Sequence, residues 1–323
     1  MRYFDVFNGD ADGICALHQL RLEQPVEATV VTGLKRDIAL LDAVDAAEAD
    51  VVTVLDLSMQ RNRDALQRLL ARGVRVHYFD HHDPGPVPEH EGLIAVIDTS
   101  ADACTSVIVD RILHGRFRPW AIVGAFGDNL PDTAIGLAHT LGLDARRVAT
   151  LRELGEDLNY NAYGQSESDV MIAPEALYRI VRRYADPFEL AAREPVMHRL
   201  KEEREADLGR ALEAAPMHSD DGVDAWLLPD EPWSRRVGGT FANRLALDDP
   251  GRAHAVLTPI AGDAYLVSLR SPRERGLRAS EFCRRFGSGG GRALAAGIDA
   301  LPRADLPRLL AALDAAWGAM ARP

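Results

Sequence analysis

The chain has 323 residues, a formal net charge of −12, and 47% hydrophobic and 27% charged residues. That length exceeds a comfortable single α/β core and predicts two domains, while the composition excludes disordered, collagen-like and disulfide-scaffold classes. The acidic balance also disfavours a dedicated duplex DNA binder, which needs many lysine and arginine contacts to phosphates, but a local cluster of cations can still hold a small phosphorylated substrate.

The chain opens as Met1-Arg2-Tyr3-Phe4-Asp5, running into an acidic motif rather than a signal peptide, and no stretch approaches the ~18 uncharged apolar residues of a spanning helix. A cytoplasmic setting without a membrane partner is therefore expected. Cys15, Cys104 and Cys283 are odd in number and widely spaced, which suits a reducing compartment and small buried hydrophobes better than zinc.

Short β-rich runs at Arg2 to Phe7, Ala28 to Thr32, Asp50 to Asp56, Val74 to Phe79 and Leu93 to Ile97 alternate with helical patterns such as Arg61 to Arg72. This predicts βαβ units on a largely parallel sheet with flanking helices, and the apolar run Val51 to Leu55 suits a strand covered on both faces. Trp120 to Phe126 is apolar but rich in alanine and glycine, so helix and strand both fit. Pro187 to Ala215, highly charged, reads as a long helical linker. Beyond it, β signals at Val223 to Leu228, Ala253 to Pro259 and Ala264 to Leu269 predict a second, smaller α/β domain. The expected division is 1–186, 187–215 and 216–323.

Active residues of open parallel sheets gather beyond the carboxyl ends of the strands, and here those ends are acidic. Asn8-Gly9-Asp10-Ala11-Asp12-Gly13 can turn two carboxylates toward one hard cation, although it also reads as a turn or helix cap. Asp56 fits a ligand or the N-cap of the following helix. Asp80-His81-His82 sets two imidazoles in one loop, where they suit a metal or phosphate, with a carboxylate near enough to fix a tautomer. Solvent-facing polar surface is the plainer alternative for the histidine pair alone. Convergence of several such ends at one sheet edge favours a metal site, and oxygen-rich ligation with one or two imidazoles favours manganese, with magnesium second. His18 reads as a helix-face residue, and Leu158 to Gly164 as a polar turn or a substrate lip.

Asp10-Ala11-Asp12-Gly13, Asp56, Asp80-His81-His82 and Gly127-Asp128 together resemble the four ordered motifs of the DHH phosphoesterase family. Val267-Ser268-Leu269-Arg270-Ser271 followed by Gly289-Gly290-Gly291-Arg292 and Ala295-Ala296-Gly297 is similar to the DHH-associated substrate domain of nanoRNases, with Arg292 in place of that family's histidine. The resemblance implies two metal ions on Asp10, Asp12, Asp56, His81 and Asp128, with Asp56 and Asp128 serving both. His82 is then assigned to a phosphate oxygen or to proton transfer, and Asp80 to orienting an imidazole. Asn8 stands where a histidine or aspartate is common and is expected to be a weak ligand at best.

Ser268, Arg270, glycines 289 to 291 and Arg292 are expected to bind substrate. Guanidinium groups match phosphate oxygens in pairs, and glycines let backbone amides approach an anion. Arg270, Arg273, Arg275, Arg278, Arg284, Arg285 and Arg292 make that stretch cationic. The implied activity is hydrolysis of phosphate esters in short oligonucleotides or small nucleotides. A catalytically weak nucleotide-binding regulator and an inorganic pyrophosphatase are the alternatives, and the sequence leaves a homodimer open.

Overall fold

Five parallel strands in the order β2-β1-β3-β4-β5 organise the first part of the chain. They are β1 (Tyr3–Asn8), β2 (Ala28–Gly33), β3 (Val51–Leu55), β4 (Arg75–Asp80) and β5 (Leu93–Ile97), with α1 (Ala11–Glu23) after β1 and α2 (Arg63–Ala71) between β3 and β4. The computed structural model describes residues 1–273 and 276–318, so Arg275 lies outside the described residues. Contacts divide the chain into two compact units, Met1–Glu202 and residues 203–323.

The sheet is buried on both faces because apolar side chains occupy both pleats. Val6, Val54 and Tyr78 lie side by side in register and join Leu66, Leu69 and Leu70 of α2. Their neighbours Phe7, Leu55 and Phe79 turn to the opposite face, against Ile14 and Leu17 of α1. Each such side chain contributes about 1.5–3 kcal/mol on burial. Because β2 lies on one side of β1 and β3 on the other, the topology reverses between β1 and β3. That reversal opens a crevice at the carboxyl ends of the strands.

Helices α3 (Thr105–Ile112), α4 (Arg118–Gly127), α5 (Pro131–Thr140), α6 (Ala145–Tyr160), α7 (Pro174–Val181) and α8 (Pro187–Arg193) complete the first unit, and α9 (Pro195–Leu212) crosses the division. The stretch Trp120 to Phe126 is thus helical, with Pro119 in its first turn, where a missing N–H costs nothing. Small residues let α4 approach its neighbours closely. A Cβ on Gly127 would lie 2.3 Å from that of Ala11, and one on Gly155 would lie 2.3 Å from the Val123 carbonyl oxygen. The segment 187–215 is two helices rather than one, because Pro195 cannot donate and forces Glu194 into extended backbone with ψ of 111°.

The second unit holds a mixed sheet in the order β10-β11-β9-β8-β7-β6. Its elements are β6 (His218–Asp220), β7 (Val223–Leu227), α10 (Pro232–Asp248), β8 (Ala253–Ile260), β9 (Ala264–Arg270), α11 (Ala279–Cys283), β10 (Gly289–Gly291), β11 (Ala295–Pro302) and α12 (Leu306–Trp317). Val223, Ala225 and Leu257 face Phe282, Leu309 and Trp317, whereas Trp226 and Val256 face Val237 and Phe241 of α10. All three cysteines are free and buried. Among the described residues no helix is long and apolar enough to cross a membrane.

Candidate metal centre

The loop after β1 is set by close backbone packing. The Gly9 amide donates to the Gly33 carbonyl at 3.0 Å, and a Cβ on Gly9 would lie 2.2 Å from that oxygen. Asp10 then caps α1, its Oδ1 accepting from the Asp12 and Gly13 amides at 3.0 and 3.1 Å. Its Oδ2 pairs with the Lys35 ammonium. Asp12 performs a longer-range task. Its two oxygens accept from the Thr105 and Ser106 amides, each at 2.7 Å. Cys104, at the N-cap of α3, makes no side-chain cap bond, so Asp12 satisfies that helix end from across the fold. Bonds from amides to an ionised carboxylate at a helix N-terminus are among the stronger kind.

Asp56 leaves β3 with a left-handed φ of 57°, a conformation aspartate tolerates better than most residues. Its amide donates to the Phe79 carbonyl at 3.0 Å, which keeps the ends of β3 and β4 together. His81 follows β4 and extends Nε2 into the carboxylates: 3.3 Å from Asp56 Oδ1, 3.8 Å from Asp128 Oδ2 and 4.0 Å from Asp12 Oδ2. Asp128 arrives from the C-cap of α4. Among the described residues two groups have ligand spacing, Asp12-His81-Asp128 and Asp56-His81-His82, with the ligand atoms of each group all within 4.8 Å of one another.

Burial first, and then mutual repulsion, governs the electrostatics. Asp12 is pushed up by burial and by Asp128, and Asp56 well up by burial and by Asp10 and Asp12. Burial also opposes charge on His81, but its hydrogen bond to Asp56 and the carboxylates of Asp128 and Asp12 outweigh this and raise it to about 10. Such crowding of acids calls for cations. Carboxylate oxygens with an imidazole nitrogen make a donor set that fits manganese or magnesium.

Asp80 is fully buried and works on the histidine that is more exposed. Its Oδ1 accepts from the His81 amide at 2.8 Å and lies 2.7 Å from His82 Nδ1. A proton fixed on Nδ1 leaves Nε2 of His82 as the chemically open nitrogen. The His82 side chain is 45% exposed, and its ring stands 4.4 Å from that of His81.

Asn8, expected as a weak ligand, spends both ends of its amide inside the protein. Oδ1 accepts from the Asp10 amide and Nδ2 donates to the Lys35 carbonyl, each at 3.2 Å. Lys35 is the residue sequence reasoning missed. Besides Asp10, its Nζ lies 3.7 Å from Asp128 Oδ1 and 3.3 Å from Asn159 Oδ1, and stands 5.7 Å from the Tyr163 ring centroid. Burial works against its charge, but Asp10, Tyr163, Asp128 and Asp56 more than compensate and hold the ammonium well above its ordinary range. The segment Leu158 to Gly164 therefore has a task, since Asn159 and Tyr163 meet the ammonium and the Ala162 carbonyl accepts from the Lys35 amide at 3.0 Å. Lys35 follows the end of β2, so the strand-end rule applied beyond acidic residues would have found it. The capping amides of Thr105 and Ser106 carry no sequence signal.

In the second unit, Ser268 and Arg270 share one face of β9, alternating with buried Val267 and Leu269. The Arg270 guanidinium meets Asn243 Oδ1 at 2.6 Å and the Leu269 carbonyl at 3.0 Å. Glycines 289 to 291, expected as an open amide cradle, form a strand paired antiparallel with Ile298, Gly297 and Ala296. The Gly289 amide is bonded to the Phe286 carbonyl at 2.8 Å, so this part of the cradle is spent on folding. Arg292 sits in the turn that follows, its amide donating to the Ala295 carbonyl at 2.8 Å, and Ala295 lies opposite Arg270 in the sheet register. His18, elsewhere, is buried against Trp120 with Nε2 2.8 Å from the Tyr184 carbonyl.

No protein-family model and no curated protein matches the chain. Solved structures do. The manganese-bound exonuclease RecJ superposes with a TM-score of 0.60 at 18% identity, covering 97% of this chain and 89% of that one. RecJ with Mn2+ from Thermus thermophilus gives 0.67 at 19% identity, with 97% of this chain spanning about half, 51%, of the other. The pGpG-specific phosphodiesterase PggH from Vibrio cholerae gives 0.52 at 13% identity over 98% of this chain and 100% of that one.

Proposed function

We propose that this chain, which has the fold of the DHH phosphoesterases, is a metal-dependent hydrolase of phosphate esters in short oligonucleotides or small nucleotides. One observation carries the reading. Asp12, Asp56, His81 and Asp128 come from four separate segments and converge at the crevice where the sheet topology reverses.

A divalent ion on those residues, manganese or magnesium, supplies Lewis acidity that acidifies water and neutralises phosphoryl charge. The chain's own groups do the rest. The α3 amides fix the Asp12 carboxylate, and Asp80 fixes His82 so that its Nε2 meets a phosphate oxygen or takes part in proton transfer. Within the second unit, Arg270 and Arg292 offer guanidinium groups suited to a phosphate. The family pattern carries two ions. The donors converging here leave out Asp10, and both ligand-spaced groups share His81.

The net charge of −12 favours short substrates over duplexes. The exonuclease and dinucleotide phosphodiesterase among the fold neighbours support the same class. The test is mass-spectrometric product analysis with Mn2+ or Mg2+ on linear and cyclic dinucleotides, two- to five-residue oligonucleotides, 3′-phosphoadenosine 5′-phosphate and pyrophosphate. Release of mononucleotide or phosphate, abolished by chelator and by His81→Ala, is expected. No product from any of them refutes the reading. Nucleotide binding that survives chelation without turnover establishes the regulator instead, and cleavage of pyrophosphate alone establishes a pyrophosphatase.

A further inference from the structure

The Lys35 ammonium lies against the carboxylates that a two-ion site would divide between its metals. It pairs with Asp10 and lies 3.7 Å from Asp128 Oδ1, while Asp128 Oδ2 faces His81 Nε2 at 3.8 Å. Asp128 thus has one oxygen toward the ligand-spaced cluster and one toward the lysine, the arrangement in which a carboxylate bridges two cations. We propose that Lys35 is a built-in second cation, so that the centre binds one divalent ion on Asp12, Asp56, His81 and Asp128, with the ammonium in the place of the other.

Three independent features support this. First, Asp10 takes no part in either ligand-spaced group. Its Oδ1 is committed to the α1 amides and its Oδ2 to Lys35. Second, Asn8 stands where the family pattern usually has a stronger ligand, and its amide holds the Lys35 main chain at 3.2 Å. An amide is a poor metal ligand but a good clamp, so Asn8 adds little to an ion site while it holds the main chain that carries the ammonium. Third, the lysine is held in place rather than free to swing. Its amide is bound by the Ala162 carbonyl at 3.0 Å, its Nζ by Asn159 Oδ1 at 3.3 Å, and the Tyr163 ring lies beneath it. A second ion about 3.5–4 Å from the first would have to share Asp10 and Asp128 with a fixed positive charge, and like charges at that range repel strongly.

The inference rests on the metal-centre reading above, and the count of bound ions separates the two. Equilibrium dialysis against Mn2+, with the metal measured by elemental analysis, is expected to give one ion per chain for the wild type and for Lys35→Arg. Lys35→Ala, which vacates the place and frees Asp10, is expected to bind two. Two ions in the wild type overturn the proposal, as does a Lys35→Ala protein that is folded by circular dichroism and still binds one. The wild-type count decides the matter even where Lys35→Ala fails to fold. One ion together with no hydrolysis on the substrate panel removes the enzymatic reading and leaves the lysine proposal standing, whereas no ion at all removes both.

Discussion

Two regions at strand ends in this chain carry charge in opposite ways. Beyond β1, β3 and β4, carboxylates from distant segments crowd together, and burial and mutual repulsion push Asp12 and Asp56 upward. At the end of β9 the charge is cationic and already engaged within its own unit, with Arg270 on Asn243 and the glycine strand paired to β11. The first region stores an electrostatic demand that a cation answers. The second spends the Arg270 guanidinium and the Gly289 amide on contacts within its own fold.

Removing one acid from the first region sharpens this contrast most. Asp56→Asn keeps a residue that tolerates the left-handed backbone there and deletes the charge. Metal-dependent hydrolysis should fall by about 100-fold or more, beyond the usual cost of losing an outer partner of a ligand, with the circular dichroism spectrum unchanged. A smaller loss would mean that the cluster is not where the chemistry occurs.

Acid probes the same unit by another group. Burial pushes His18 down to about 4 from 6.5, so between those values the unfolded chain binds a proton that the folded chain refuses. The His18 contribution to stability should therefore be fully present above pH 6.5 and fall by about 3 kcal/mol as the pH drops to 4. Urea titrations across that range should show the fall, and His18→Gln should flatten it.

The glycine strand gives the next effect. A Cβ on Gly289 would sit 1.7 Å from the Cys283 carbonyl oxygen, whereas one on Gly290 meets nothing within 4 Å. Gly289→Ala should cost about 1–3 kcal/mol through overpacking, while Gly290→Ala stays within about 0.5 kcal/mol. Comparable costs in thermal denaturation would show that the strand is not held as described. Smallest of the four is Arg270→Ala, which should raise KM about tenfold, a loss of about 1.4 kcal/mol, with kcat within about twofold. A matching fall in kcat would erase the division of labour between the two regions.

How much of this was legible in the sequence depended on whether a residue's role follows from its own strand. Asp10, Asp12, Asp56 and Asp80-His81-His82 all follow β runs, and a parallel sheet brings such ends together. Lys35 also follows the end of β2, but a lone lysine there is ordinarily a solvated surface charge, so its role shows only in the fold. Asp12 as the cap of α3 was not legible, because the donors are backbone amides of Thr105 and Ser106. The pairing of the glycine run was not legible, since glycine reports only backbone freedom. Whether that freedom serves an anion or a neighbouring strand is decided by Ala296 to Ile298, which pair with it.

The bond between Asp12 and the start of α3 has a consequence for how the protein comes into being. Its partners lie 93 and 94 residues apart in sequence, and β2, β3, β4 and β5 are laid down between them. The Asp12 contribution to the centre is thus assembled by a contact of high sequence separation, the kind that closes late as a chain folds. A partly folded chain lacks it. On the proposed function, tight uptake of a metal ion would serve as a chemical stamp of completed topology in the first unit, readable during refolding without any knowledge of the substrate.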